Sequence, residues 1–411
     1  MAAPKFLDRY SPPHIMTLVA ATAFGPLAMN IFLPSLPALA THFDAPFVIV
    51  QLAISFYLIS NAVLQVIIGP LSDRYGRRPV MLFFSILAIF ASLLSIYAPN
   101  IEIFLFARCL QGTAIAGMVI GRAVIRDMVG PDEAASKIGY VTMGMTLAPM
   151  LGPIFGGYLD ENFGWQSTFW ALIIYGSFLV CLLWLDLGET ARYKSTSFTS
   201  QFRSYPALFT SRRFWGYSAS SAAASGAFFA FLGGSSYLAS VHYDIPPSLY
   251  GFYFVFAGIG YITGNFISGR YARRVGINRM MMLGGVVACI GMLISLGLIL
   301  SGIDHRLSFF GPVVFIGLGN GITLPSSIAG IVSVRPEIAG SASGLGGFFQ
   351  IGGGALLSIL GGAVLGPNTG PLPLILLMLA SSFASILASA YVMHIARSVT
   401  LQEENTLEER S

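Results

Sequence analysis

Apolar runs of about 20 residues, each long enough to cross a hydrocarbon core as a helix, recur from one end of this chain to the other. Gly, Pro or charged residues punctuate them. Twelve spans are predicted, near 14–36, 48–70, 79–98, 101–122, 136–160, 163–186, 214–238, 249–269, 278–301, 307–332, 337–364 and 371–396. Helices are required because a backbone in lipid must satisfy its own hydrogen bonds, and the alternating pattern of a membrane barrel is absent. Composition agrees: 55% of residues are hydrophobic, only 10% are charged, and mean hydropathy is +0.75. A soluble globule of this make-up would expose large apolar area, so the expected class is an all-α membrane protein with the lipid bilayer around it.

Loop charge orients the spans. With both termini cytoplasmic, Lys5, Arg9, Arg74, Arg77, Arg78, Arg126, Lys137, Arg192, Lys194, Arg203, Arg212, Arg213, Arg270, Arg273, Arg274, Arg279, Arg335, Arg397 and Arg410 face the cytoplasm. Of the 22 Lys and Arg, only Arg108 and Arg122 inside a span and Arg306 outside depart from the positive-inside tendency. The net charge of +4 is therefore topological, and no nucleic-acid partner is expected. Lys5 and Arg9 precede the first run and Ala38-Leu39-Ala40 mimics a cleavage site, but the run exceeds a signal-peptide core, so an uncleaved first helix is expected. Cys109, Cys181 and Cys289 lack disulfide or zinc spacing, and no metal or cofactor is expected.

The longest polar connection, with Glu189, Arg192, Lys194 and a Ser/Thr-rich stretch, divides the chain near its middle. The expected organisation is an amino-terminal six-helix bundle at 1–186, a cytoplasmic linker at 187–213, a second bundle at 214–397 and a solvated tail at 398–411 carrying Glu403, Glu404, Glu408 and Glu409. A monomer is expected. Matched halves invite a search for a repeat, and one lies at an offset of 200 residues. The segment 69–76 falls over 269–276, with Gly69 over Gly269, Arg74 over Arg274 and Gly76 over Gly276; Gln65 falls over Asn265 and Gly152 over Gly352. Repeated halves are how many secondary transporters build a midplane site exposed alternately to each side.

The segment Gly69-Pro70-Leu71-Ser72-Asp73-Arg74-Tyr75-Gly76-Arg77-Arg78 resembles the loop 2–3 signature of the major facilitator superfamily. Its glycines permit a tight turn close to neighbouring helices and its arginines anchor the cytoplasmic surface. The resemblance implies two pseudo-symmetric six-helix bundles in a bacterial inner membrane, with Asp73 helping to latch them against the amino-terminal end of the eleventh helix. The plainer reading is a basic turn that only sets topology. Arg108-Cys109-Leu110-Gln111-Gly112, followed by Arg122-Ala123-Val124-Ile125-Arg126-Asp127, resembles the fourth helix of bicyclomycin- and chloramphenicol-resistance (Bcr/CflA-type) drug:proton antiporters. Ala148-Pro149, Gly152-Pro153 and Gly156-Gly157 resemble the antiporter motif of the fifth helix, where proline and glycine allow bending or close packing at a cavity wall. Gln51-Leu52, Glu189-Thr190 and Gly340-Ser341-Ala342-Ser343-Gly344 running to Gln350 fit the same subgroup.

One position departs from the pattern. Asn30 in Met29-Asn30-Ile31-Phe32-Leu33-Pro34 stands where the family usually has Asp, and an amide carries no proton. Glu102, Asp132, Glu133 and Glu337 lie near expected helix amino termini, Asp160, Asp186, Asp244 and Asp304 at span ends or in loops, and all five histidines away from mid-bilayer. Asp127 is left as the proton-coupling candidate, against an ion pair that seats the helix end. Arg108 is the leading site residue, because a charge inside the bilayer costs about 3 kcal/mol or more and needs partners. Arg122 lies 14 residues on, about 3.9 turns, on nearly the same face, with Gln111 nearby. Arg108 either faces a wet cavity or hydrogen-bonds backbone carbonyls and Gln111 to hold helices together. Asn30, Tyr57, Asn61, Gln65, Asn265, Asn320 and Gln350 are candidate polar contacts in an apolar pocket, with Phe32 and Phe229 as wall.

The expected function is proton-driven export of small, mostly apolar compounds by rocking of two halves. With the first-helix acid missing and Arg108 present, neutral, zwitterionic or anionic solutes are expected over permanent cations. Asn30 also admits a facilitator or importer of a neutral or anionic metabolite. An enzyme or receptor is disfavoured, since no acid pair, metal cluster, His/Ser/Asp set or phosphate-binding loop is present.

Overall fold

The computed structural model describes residues 6–8, 10–11, 13–128, 131–190, 205–335 and 338–408, with side chains except at 126, 131–140, 142–146 and 396–408. Lys5, Arg9, Glu337, Glu409, Arg410 and most of the expected linker, including Arg192, Lys194 and Arg203, lie outside the described residues. So do the side chains of Arg126, Asp132, Glu133, Lys137, Arg397, Glu403, Glu404 and Glu408.

Twelve long helical rods are formed by the described residues. The first, α1, spans Ile15–His42 and tightens to a 3-10 turn at Leu33–Ser35, next to Pro34 and Pro37. Then come α2, Phe47–Tyr75, and α3, Arg77–Ile96. The α4 rod runs Ile101–Gln111, tightens over Gly112–Ile115 and resumes as Ala116–Met128. Pro131–Phe163 forms α5 and Gln166–Asp186 forms α6. After a short helical turn at Tyr205–Phe209, α7 spans Arg212–Tyr237 and ends in a π turn at Leu238–His242. Pro247–Val275 is α8 and Ile277–Leu300 is α9. The α10 rod joins Arg306–Phe310 to Val313–Ser333, followed by α11, Ala339–Ala363, and α12, Leu372–Glu408.

Ten of these rods are long and apolar enough to cross a membrane by themselves; α5 and α8 are not among them. Both outrun their expected spans at the end that carries charge, where α8 has Arg270, Arg273 and Arg274. They also pack on each other, so part of each surface meets protein instead of lipid. The backbone of α12 stays helical through Glu408, so the acidic tail expected from 398 extends that helix.

Helix contacts define two six-helix bundles. In the first, α1 packs on α4, α5 and α6, while α3 packs on α4 and α6; in the second, α7 packs on α10, α11 and α12, and α10 packs on α8 and α9. The bundles touch through α5 with α8 and through α2 with α11. The 200-residue repeat is visible in the backbone. Gly76 and Gly276 each end a helix at positive φ, +106° and +88°, and their amides donate to Ser72 and Ala272 at 3.0 and 2.9 Å. A side chain would strain either turn, which is why glycine recurs there.

The rods have two distinguishable ends, the basic end with the Arg-rich turns after α2 and α8, and the far end. Polar contacts between the bundles are found at the far end. There the Gln51 amide donates to the Ser358 carbonyl at 2.7 Å, the Ser236 hydroxyl to the Leu33 carbonyl at 3.1 Å, and the Phe47 and Tyr237 rings lie 5.2 Å apart. At the basic end, side chains added at Gly69, Gly269 or Gly340 would meet nothing within 4 Å. The far end is held shut by these bonds, while towards the basic end Gln65 and Val66 of α2 still reach α11 and its neighbours.

Candidate functional site: a buried arginine between two helix seams

The site starts with how α4 is built. Asn100 caps it by accepting from the Ile103 amide at 3.0 Å, and Glu102 sits in its first turn, where the helix dipole favours an anion. Two turns in comes Arg108, and then the helix meets Gly112 and Gly117. A Cβ at Gly112 would fall 2.7 Å from Ser60, and one at Gly117 would collide with the Ala21 carbonyl. These glycines let α2 and α1 close tightly around the arginine.

Arg108 is fully buried. Its Nη1 donates to the Ala28 carbonyl at 3.2 Å and to Gln111 Oε1. The regular helix of α1 stops at Asn30, which leaves carbonyls of its last turn, such as that of Ala28, open to a side-chain donor. Gln111 in turn donates to the Ser92 hydroxyl at 2.6 Å, tying the group to α3. The guanidinium carbon lies 3.9 Å from the centre of the Phe32 ring, 4.9 Å from Tyr57 and 6.0 Å from Phe169, so ring faces take the place of a counter-ion. Tyr57 is oriented by its own bond to the Gly25 carbonyl at 2.7 Å. Arg108 Nε and Nη2 have no hydrogen-bond partner among the described residues. The arrangement is a bound cation with spare donors, walled by aromatics of α1, α2 and α6.

Asn30 is also fully buried, on the seam between α1 and α5. Its amide nitrogen donates to the Pro26 carbonyl at 2.7 Å, and its oxygen has no partner among the described residues. Across the seam, a Cβ at Gly152 would touch Asn30 at 3.5 Å, and one at Gly156 would collide with the Ile31 carbonyl. The opposite face of α5 meets the second bundle. Side chains at Gly157 and Gly251 would collide with the carbonyls of Pro247 and Pro153. Pro149, Gly152, Pro153 and Gly156 thus lie where α5 is held between α1 and α8.

The basic turn after α2 is held by its own bundle. Arg77 pairs with Asp73 in the same turn, with Asp127 of α4 at 3.1 Å, and with the Ser72 hydroxyl at 2.6 Å. Glu189, beyond α6, accepts from the amides of Arg77 and Arg78 at 2.9 and 3.4 Å, an anion placed on the amino terminus of α3. Arg78 donates to the Trp184 carbonyl at 3.0 Å and lies over its ring. Asp73 therefore engages Arg77 here, and among the described residues it makes no bond to α11. Asp127 accepts from Arg77 and Thr190, as an ion pair that seats the end of α4 does. Arg74 lies over the Tyr75 ring.

The remaining sequence candidates are spread out. Asn265 on α8 is half-buried and donates to the Tyr261 carbonyl at 2.9 Å; Tyr261 lies within electrostatic reach of Arg122 across the bundle boundary. Gln350 on α11 is half-buried, and Gln65 of α2 sits against Gly347 of α11. The buried Asn61 sits beside the Tyr57 phenol, Asn320 is buried in the second bundle, and Phe229 packs against Gly354. The structure thus gathers Tyr57, Arg108 and Gln111 around α4, with Asn30 on the adjoining seam, and leaves Asn265 and Gln350 on the second bundle. At the far end, His242 and Tyr243 both bond Asp304, at 2.8 and 2.9 Å, and burial together with that carboxylate pushes the Tyr243 phenol well above its ordinary range. A cavity of about 430 Å³ opens beside them, with Pro34 and Pro37 on one wall and Ser236 and Tyr250 on the other.

Sequence reasoning passed over two groups. The sequence places Gln51 only in a motif, and its burial against α11 is set by the fold. Asp160 was set aside as a span-end acid, yet it is only 9% exposed; its spacing of four from Gly156 and eight from Gly152 was the available signal.

This architecture is that of a membrane transporter. Residues 18–358 match the Major Facilitator Superfamily model, and the chain belongs to that family. It is 30% identical over 345 residues to the MFS-type transporter YdgK of Bacillus subtilis, covering 82% of this chain and 85% of that one. It is 27% identical to Multidrug resistance protein D of Escherichia coli, covering 89% and 91%, and 25% identical to a bicyclomycin resistance protein homolog of Haemophilus influenzae, covering 84% and 88%. Among solved structures, the D-xylose-proton symporter superposes with a TM-score of 0.72 at 12% identity, covering 92% of this chain and 96% of that one. The human organic anion transporter MFSD10 superposes with 0.66 at 17%, covering 92% and 98%. The chain is thus a multi-pass membrane protein that moves small molecules, and it is not an enzyme.

Proposed function

We propose that this chain is a drug exporter of the Bcr/CflA type, working by proton antiport and alternating access in a bacterial inner membrane. The observation that carries the reading is the buried Arg108–Gln111 pair beside the Gly/Pro seam of α5, in a molecule whose bundles are bonded to each other across the far end. Relatives named for multidrug and bicyclomycin resistance support it. With the basic end cytoplasmic and both termini on that side, the bonded far end faces away from the compartment from which an exporter loads. The working unit is a monomer, divided at 187–213. Substrate contacts are assigned to Asn30, Tyr57, Arg108, Gln111, Asn265 and Gln350, and conformational roles to Gly69, Asp73, Arg74, Gly76, Arg77, Pro149, Gly152, Pro153 and Gly156. Neutral, zwitterionic or anionic compounds are preferred over permanent cations, because no carboxylate among the described side chains neutralises Arg108.

A second reading rests on one observation: the Asn30 amide is spent on Pro26, so α1 offers no proton carrier there. A facilitator or importer of a neutral or anionic metabolite fits that feature. The test is radiolabelled chloramphenicol uptake into everted vesicles of a strain lacking its own exporters, with and without an uncoupler. Accumulation that collapses with the gradient supports antiport; equilibration unaffected by the uncoupler refutes it. Selective export of a quaternary ammonium dye contradicts the stated preference.

A further inference from the structure

We propose that Asp160 of α5 is the proton-carrying carboxyl of this transporter, in the part that an acid at position 30 of α1 would otherwise play. The inference rests on the antiport reading. Its ground is the geometry of one seam. Along the face of α5 turned to α1, Gly152 meets Asn30, Gly156 meets the Ile31 carbonyl, and Asp160 comes beside Ser35. The three follow each other at one-turn steps, so the acid stands about 12 Å farther along the seam on which α1 has only an amide.

Among the described side chains, two carboxyls are buried, Asp160 and Asp186. Asp186 is saturated: it accepts from the amides of Leu7 and His14 at 2.8 Å each and from the Thr17 hydroxyl at 2.6 Å, anchoring the segment before α1 at the basic end. Asp160 has no such set of donors. Ser35 lies within polar reach of it, but the serine hydroxyl completes no hydrogen bond of good geometry. Taking a carboxylate out of water with few donors is costly, whereas a neutral carboxyl with a hydroxyl to bond is accommodated. The site suits a group that takes a proton from far-side water while the far end is open, is carried neutral once it closes, and yields the proton to water entering from the basic end.

The surroundings also link the proton to the far-end closure. The charged group that acts on Asp160 is Glu161, and no basic side chain among the described residues does so. Glu161 accepts from the Ser248 amide at 3.3 Å, at the first turn of α8 in the other bundle. An ionised Asp160 repels the carboxylate that holds this contact, and a protonated one leaves it undisturbed. The proton on Asp160 therefore favours a closed far end, and its loss favours opening.

Two measurements on the purified full-length chain test this. Dicyclohexylcarbodiimide, an apolar reagent for protonated carboxyls, is applied across pH 6–8 and the modified peptides are located by mass spectrometry. Labelling concentrated on Asp160 and falling with rising pH supports the assignment; labelling spread equally over other carboxyls overturns it. In proteoliposomes, Asp160→Asn is expected to lose gradient-driven chloramphenicol accumulation while keeping gradient-free counterflow, and Asp160→Glu to retain both. Counterflow reports a folded, substrate-binding protein, so its survival separates lost coupling from lost structure; if Asp160→Asn loses counterflow as well, the group is structural and the proposal fails. Gradient-driven accumulation that survives in Asp160→Asn overturns the Asp160 assignment alone. Transport by the unsubstituted protein that ignores the gradient overturns the antiport reading itself.

Discussion

Replacing Gln51 with alanine should loosen the far-end closure without touching the arginine site. Gln51 is fully buried at the start of α2, and its nitrogen bonds the Ser358 and Ile359 carbonyls of α11 at 2.7 and 3.4 Å. Those carbonyls keep their helical partners, so truncation orphans no acceptor; it removes one buried bond, worth about 1 kcal/mol net. Loss of side-chain packing adds to this, and removal of the unpartnered Gln51 Oε1 offsets part of it. A closed state weakened by about 1 kcal/mol is disfavoured about fivefold against the far-end-open state. Ala239, 2% exposed beside the far-end cavity, reports the change. In a background with Cys109, Cys181 and Cys289 replaced, Ala239→Cys should react with a membrane-impermeant maleimide about fivefold faster when Gln51 is alanine. Gly362→Ala should act in the same direction, since its new methyl would collide with the Gln51 amide. Equal labelling rates with and without Gln51 would refute the idea that this amide latches the two bundles.

Other substitutions probe the seams and the buried charge. Gly156→Val puts a branched side chain into the Ile31 carbonyl and should cost about 2 kcal/mol or more, seen as lost membrane yield or a lowered Tm in detergent, while Gly69→Val, with open space around it, should cost far less. Arg108→Met keeps the volume but removes the cation held by Phe32, Tyr57 and Gln111; transport activity in a growth-resistance assay should disappear while insertion is retained, and unchanged activity would remove Arg108 from the site. Glu189→Gln weakens the anion on the first turn of α3 and should lower stability by about 1 kcal/mol, read as a lower Tm at low salt that high salt partly erases.

Much of the molecule was legible before any coordinates. Hydrophobic length gives membrane-spanning helices because lipid leaves the backbone no other partner, and ten of the twelve rods among the described residues are long and apolar enough to cross by themselves. The 200-residue repeat anticipated a paired geometry, and Gly76 and Gly276 adopt the same positive-φ turn because only glycine does so without strain. Glycine and proline spacing on α5 marked where helices would approach closely. Arg108 and Gln111, three residues apart, were expected as neighbours, and they bond each other.

What the chain order could not supply is which groups meet across distance. Helical periodicity assigns a residue to a face of its own helix, but the neighbour on that face is chosen by packing. Only the folded bundle brings Phe32, Tyr57 and Phe169 from three helices onto one guanidinium, places Glu189 on the amides of α3, and seats Gln51 against α11. The same holds for the acids. By position, Asp127 and Asp160 are both helix-end carboxyls; in three dimensions one meets Arg77 and the other turns inward beside Ser35. Local sequence sets which helices form and how long they are, because those depend on solvent and backbone. The environment of each charge depends on long-range burial, and that is decided when the helices pack.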